Sequence, residues 1–126
     1  MKKCLIEEIH FNDIPVSDLQ RSLDWYHKYL GFEPGFKNDS MVVMKLQNGP
    51  VLVLNQSDSS ARAVWSNEGV TRPIIGFTTN EIEQLHRELR DAGISATDIR
   101  DEGMGWFFEF VDPDGNMFSI LKYNQV

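Results

Sequence analysis

The chain has 126 residues, 41% of them hydrophobic and 25% charged, with 12 Lys+Arg against 19 Asp+Glu and a formal charge of −7. This predicts one globular domain able to bury a core without cross-links, and the acidic balance disfavours nucleic acid as a partner. No apolar run approaches the roughly 18 residues of a membrane span, no signal-type core follows Met1-Lys2-Lys3, and the lone Cys4 excludes a disulfide framework or a multi-cysteine metal site, so no membrane association and a cytoplasmic location are expected.

In chain order, a strand-like run opens near residue 4 and ends at Ile14-Pro15-Val16. Ser17 is placed as an N-cap, with Asp18 as negative charge in the first helical turn. Leu19, Leu23, Tyr26 and Leu30 recur at helical spacing, and Gly31 stops the helix. Strands at 41–46 and 51–54 flank Gln47-Asn48-Gly49-Pro50, in which Asn-Gly is a hairpin signal. The polar stretch that follows reads as a linker or flexible lid, with Trp65 out of keeping with its neighbours.

The same pattern then returns. Ile74-Ile75-Gly76-Phe77-Thr78-Thr79 reads as a strand, Asn80 as an N-cap, and Ile82, Leu85, Leu89 and Ala92 as a helical stripe ended by Gly93. Strands at 106–111 and 117–121 flank the turn Asp112-Pro113-Asp114-Gly115-Asn116. Residues 4–56 and 72–124 thus each read as strand, helix and three strands, joined by a loop over 57–71. The predicted fold is α+β: a single domain of paired βαβββ modules whose curved mixed sheet carries helices outside and a concave groove inside.

Ile14-Pro15-Val16-Ser17-Asp18, Trp25-Tyr26, Leu30-Gly31-Phe32 and Asp112-Pro113-Asp114-Gly115-Asn116, in this order across two repeats, resemble the glyoxalase/bleomycin-resistance/dioxygenase superfamily, also called vicinal oxygen chelate (VOC) proteins. The resemblance runs from about residue 6 to residue 123. It implies a homodimer and a cavity that holds either a divalent metal or a bulky organic ligand, without fixing the reaction.

Metal-using members of that superfamily place ligands at equivalent points on four inner strands. By resemblance these fall at Phe11, Val53, Ile74 and Ser119. The first three side chains offer no donor, and one serine hydroxyl is a poor ligand. Shifting the register by one residue to reach His10 would turn the whole strand over. No metal and no cofactor are expected. His27 and His86 lie on the helices and read as solvated or partly packed, His10 as a satisfied histidine on the helix side of its strand, and Cys4 as a spectator thiol.

Alternation directs Asp13, Glu109 and Ser119 toward the concave side, with Ile9, Phe11, Phe107 and Met117. Strand-edge exposure is the alternative for the two acids, and core packing the alternative for Phe11, Phe107 and Phe108. Trp65 and Trp106 have two readings, as lids that stack on a ligand or as anchors at a dimer interface. Trp25 is read as structural. The charge run over 98–102 is taken as a solvated face.

An apolar cavity with a few acids suits a hydrophobic small molecule, a cationic one in particular. The leading expectation is a metal-independent binding protein of the bleomycin-resistance type, with Phe11, Asp13, Trp65, Trp106, Phe107, Glu109 and Ser119 as ligand-binding residues. The alternative is a glyoxalase- or dioxygenase-like enzyme with a non-standard or absent metal site, working through Asp13 or Glu109 as acid or base. An interaction module that keeps the fold as scaffold is the third.

Overall fold

In the computed structural model, residues 2–58 and 60–124 are described. They divide into two compact units, one ending at Gln56 and the other beginning at Ser57.

The first unit runs β1 (Phe11–Val16), α1 (Leu19–Leu30), β2 (Glu33–Lys37), β3 (Met41–Lys45) and β4 (Val51–Gln56). Its sheet has the order β1-β4-β3-β2, with β1 parallel to β4 and the other pairs antiparallel. A parallel pairing of first and last strands needs a crossover, which α1 and the β2–β3 hairpin supply. Alternate residues Ile14, Val16, Val42, Met44, Leu52 and Leu54 are buried, none more than 2% exposed. The helix packs over β3 and β4 on that side.

Asp18, rather than the expected Ser17, is the N-cap of α1: its Oδ1 accepts the Arg21 N–H at 3.0 Å. The Ser17 hydroxyl instead accepts from the Arg21 guanidinium. Gln56 reinforces the helix start from the end of β4, accepting the Leu19 N–H at 3.0 Å and donating to the Ser17 carbonyl at 2.7 Å. Gly31 ends α1 at φ 75°, a conformation in which a Cβ would be strained. The strand expected from residue 4 begins only at Phe11, and Leu5, Ile6 and Ile9 are exposed.

The second unit opens with a hairpin, β5 (Val64–Asn67) and β6 (Val70–Pro73), so the stretch expected as loop over 57–71 carries regular structure. Glu68 and Gly69 both take positive φ, 52° and 79°, as a two-residue hairpin turn with the twist of its strands requires. Glutamate is uncommon in that conformation, which is why Asn67-Glu68-Gly69 gave no turn signal.

Then follow β7 (Ile75–Thr78), α2 (Ile82–Asp91), β8 (Arg100–Asp101), β9 (Gly105–Val111) and β10 (Met117–Tyr123). The sheet order β7-β10-β9-β8, with β7 parallel to β10, repeats the first unit strand for strand. Here the buried side is aromatic. Phe118 lies 5.1 Å from Phe77 and 5.5 Å from Phe110, while His86 of α2 meets Phe108 edge-on at 4.9 Å. Burying each phenylalanine stabilises the unit by about 2–3 kcal/mol. Asn80 does not cap α2: the cap position is Glu81, whose own N–H donates to the Thr79 hydroxyl. Among the described residues no helix is long and apolar enough to cross a membrane.

Candidate functional site

Because each helix covers one face of its sheet, the opposite face of each is where alternate side chains can meet a ligand. In the first unit that face carries Phe11 and Asp13, paired in register with Val51 and Val53, and Val53 pairs onward with Val43. Phe11 is 53% exposed and Val53 only 6%. The exposed Asp13 carboxylate accepts a hydrogen bond from the neutral Asn55 amide at 2.9 Å.

In the second unit the register pairs Ser119 with both Gly76 and Glu109, Leu121 with Phe107, and Met117 with Val111. Gly76, Ser119 and Glu109 therefore form a row across the sheet, bordered by apolar pairs on either side. A side chain at position 76 would have its Cβ 2.9 Å from the Ser119 hydroxyl, so glycine there lets the two strands carry Ser119 upright.

Glu109, expected on the concave side, stands on this helix-free face in an ion pair. Its Oε2 receives the Arg100 guanidinium at 2.7 Å, while Arg100 also donates from Nε to Glu102 at 2.5 Å. Thr97 flanks the pair, its hydroxyl accepting the Glu109 N–H at 2.9 Å. The Glu109 carboxylate holds the Arg100 pKa above its ordinary value, against the opposing effect of partial burial. The sequence reading placed Arg100 in a solvated charge run. Only β8, two residues long and pairing Arg100 with Phe107, reveals that it reaches this face.

Two aromatic candidates stand apart from these rows. Trp106 has the strand parity of Phe108 and Phe110, so it lies on the helix side of β9, opposite Phe107, and is 41% exposed. Trp65 belongs to the β5–β6 hairpin. Its indole N–H donates to the Pro73 carbonyl at 2.9 Å, and the Arg72 guanidinium sits 5.8 Å from the ring centre, leaving Trp65 48% exposed. The structure thus groups Phe107, Glu109 and Ser119 on one face, Phe11 and Asp13 on another, and puts the two tryptophans elsewhere.

The family profile of the Glyoxalase/Bleomycin resistance protein/Dioxygenase superfamily matches residues 8–120. The chain belongs to this superfamily. Among solved structures it is similar to TnmS3, an antibiotic binding protein from Streptomyces sp. CB03234, at 18% identity and TM-score 0.79, covering 97% of this chain and 100% of that one. A superfamily member from Sphaerobacter thermophilus DSM 20745 is similar at 25% identity and TM-score 0.76, with 94% and 99% covered. A lactoylglutathione lyase from Agrobacterium tumefaciens is similar at 18% identity and TM-score 0.70, with 94% and 96% covered. No curated protein matches the sequence.

Against the metal that some members of this superfamily use, the donor set does not fit. Phe11 and Val53 on the first unit's face, and Ile74 on the second unit, contribute no donor atoms, and Ser119 contributes one hydroxyl. Among the described residues no group of three His, Cys, Asp or Glu side chains could hold an ion. Two of the three histidines are engaged with backbone carbonyls. His27 Nδ1 lies 2.9 Å from the Phe32 carbonyl and His86 Nε2 lies 2.8 Å from that of Thr97. His10, expected to pack on the helix side, is exposed just ahead of β1. Cys4 is exposed, with its thiol on the Ile6 carbonyl.

Proposed function

We propose that this chain is a metal-independent small-molecule binding protein that holds or sequesters a hydrophobic ligand on a helix-free sheet face, acting as a homodimer. The observation that carries the reading is the donor-poor set Phe11, Val53, Ile74 and Ser119: three apolar side chains and one hydroxyl favour organic surface over an ion. The likeness to an antibiotic binding protein supports it, because the same fold serves that purpose there. Hydrophobic contact leads the recognition. Arg100 is shared between Glu109 and Glu102, so that cluster keeps one net negative charge, and Asp13, whose partner is a neutral amide, keeps its own; either can favour a cationic ligand.

The test has two parts. Metal analysis of protein purified without chelators is expected to find only substoichiometric metal, and one equivalent of zinc, nickel, manganese or iron would overturn the reading. Tryptophan fluorescence titration with proflavine, a planar cation, and with a neutral dihydroxyanthraquinone is expected to give saturable binding of at least one. Failure of both, with a wider aromatic panel, would refute it. Sedimentation velocity checks the dimer.

A further inference from the structure

The turn between β9 and β10 does more than reverse the chain. Asp112 is 4% exposed and Asn116 fully buried. Asp112 Oδ1 accepts the N–H groups of Asp114 at 2.9 Å and Asn116 at 2.8 Å, and its Oδ2 accepts from the Asn116 amide at 2.7 Å. Those bonds satisfy the turn. The Asn116 amide oxygen, however, is aimed away from it and accepts the N–H of Ala63 at 2.6 Å, a residue 53 positions earlier. The Ala63 carbonyl in turn accepts the Met117 N–H at 3.4 Å. Arg62 lies along Gly115, its Cδ 3.4 Å from where a Cβ would stand. Both backbone polar groups of Ala63 are thus gripped by residues 116 and 117, immediately before β5 begins at Val64.

Within the hairpin, Trp65 has little freedom of its own, because Pro73 holds its N–H and Arg72 faces its ring. At its far end the hairpin runs through Ile74 into β7, and β6 also lies against β10; its near end is rooted at Ala63 by the Asn116 side chain. We propose that Asn116, oriented by Asp112, is a positioning residue that fastens this root and thereby sets where Trp65 stands. An aromatic side chain placed in advance spares a ligand the cost of ordering it. The binding part of this inference rests on the proposed function and adds to it that Trp65, from the separate hairpin, reaches the ligand; the fastening part rests on neither.

Two variants test it. Asn116→Ala removes the acceptor, and Ala63→Pro removes the N–H while leaving the turn untouched. In ligand-free protein, amides over 64–72 are expected to exchange at least about tenfold faster with solvent deuterium. Acrylamide quenching of Trp65, read with Trp25 and Trp106 replaced by Phe, is expected to rise. The proflavine Kd is expected to weaken about fivefold to tenfold, and Asn116→Ala is expected to add nothing in a Trp65→Ala background. Unchanged exchange and quenching in a folded variant would overturn the fastening. Equal loss of affinity in both backgrounds would overturn the positioning of Trp65 for the ligand. If Asn116→Ala does not fold, Ala63→Pro decides both. If wild-type protein binds no proflavine, that binding test fails, while exchange and quenching still decide the fastening.

Discussion

Replacing Arg100 with Met should change ligand charge preference while leaving hydrophobic binding alone. Arg100 is partnered by two carboxylates, Glu109 and Glu102, at 2.7 and 2.5 Å, so its loss leaves two uncompensated negative charges. The Arg100 side chain is 45% exposed and that of Glu109 18%, so the pair is valued as largely solvent-screened, at about 1 kcal/mol of stability. A fall in Tm of roughly 3–6 °C is expected. For a cationic ligand about 6 Å from Glu109, an effective dielectric of about 40 gives roughly 1.4 kcal/mol of new attraction, a tenfold gain. Arg100→Met should therefore bind proflavine about tenfold more tightly at low salt. The gain should shrink as ionic strength rises, because the Debye length is about 10 Å at 0.1 M. Dihydroxyanthraquinone affinity should not move. The assay is fluorescence titration of both probes at two salt concentrations. The pH dependence has a definite sign. Glu109 raises the Arg100 pKa, so the stability from the pair is present below the ordinary guanidinium range and is lost only as pH rises through the raised value. Neutral to mildly alkaline pH should leave the wild-type preference unchanged. Equal shifts for both probes, or none for proflavine, would show that Glu109 does not face the ligand.

Two further predictions concern the scaffold. Asp18→Ala should cost about 1 kcal/mol by urea unfolding, since it removes the oxygen that accepts the Arg21 N–H, whereas Ser17→Ala should stay within about 0.5 kcal/mol. Phe118→Ala should cost about 3–5 kcal/mol, because the ring is fully buried against Phe77 and Phe110, and near-ultraviolet circular dichroism should report the loosened aromatic packing.

The repeat was legible because periodicity survives in both halves: Leu19 and Tyr26 of one stripe and Ile82 and Leu89 of the other are buried, although Ser22 is buried on α1 as well. The superfamily motifs were legible because they are local turns and strand-to-helix junctions. What escaped depended on partners remote in sequence. Ser17 and Asp18 are both good caps; Asp18 takes the Arg21 N–H, while the Ser17 hydroxyl accepts from the Arg21 guanidinium. The Arg100 partner of Glu109 was not legible because nothing in the strand that carries Glu109 reveals it. Trp106 was read as a lid or an interface anchor at the start of its strand, and parity counted from Phe108 places it on the helix side. The β5–β6 hairpin was hidden by a glutamate in a conformation that sequence rules reserve for glycine or asparagine.

The two units repeat a topology but not a surface, and the difference bears on recognition. On the first unit's helix-free face, the parallel β1–β4 ladder presents Phe11, Val51 and Val53, relieved only by Asp13 and Asn55. On the second, the matching β7–β10 ladder presents Gly76 beside Ser119, leading on to Glu109, Arg100 and Thr97. Apolar contact is non-directional and tolerates many ligand shapes, whereas a hydroxyl beside a fixed ion pair rewards a particular placement of ligand oxygen or nitrogen. A ligand held on the first unit's face is therefore bound mainly by apolar contact, and one held on the second unit's face is selected by where its polar atoms fall. On that second face, changes at Ser119 should reorder the affinities of aromatic probes. The refuting result would be a Ser119→Ala protein whose ranking of neutral and cationic probes matches that of the wild type.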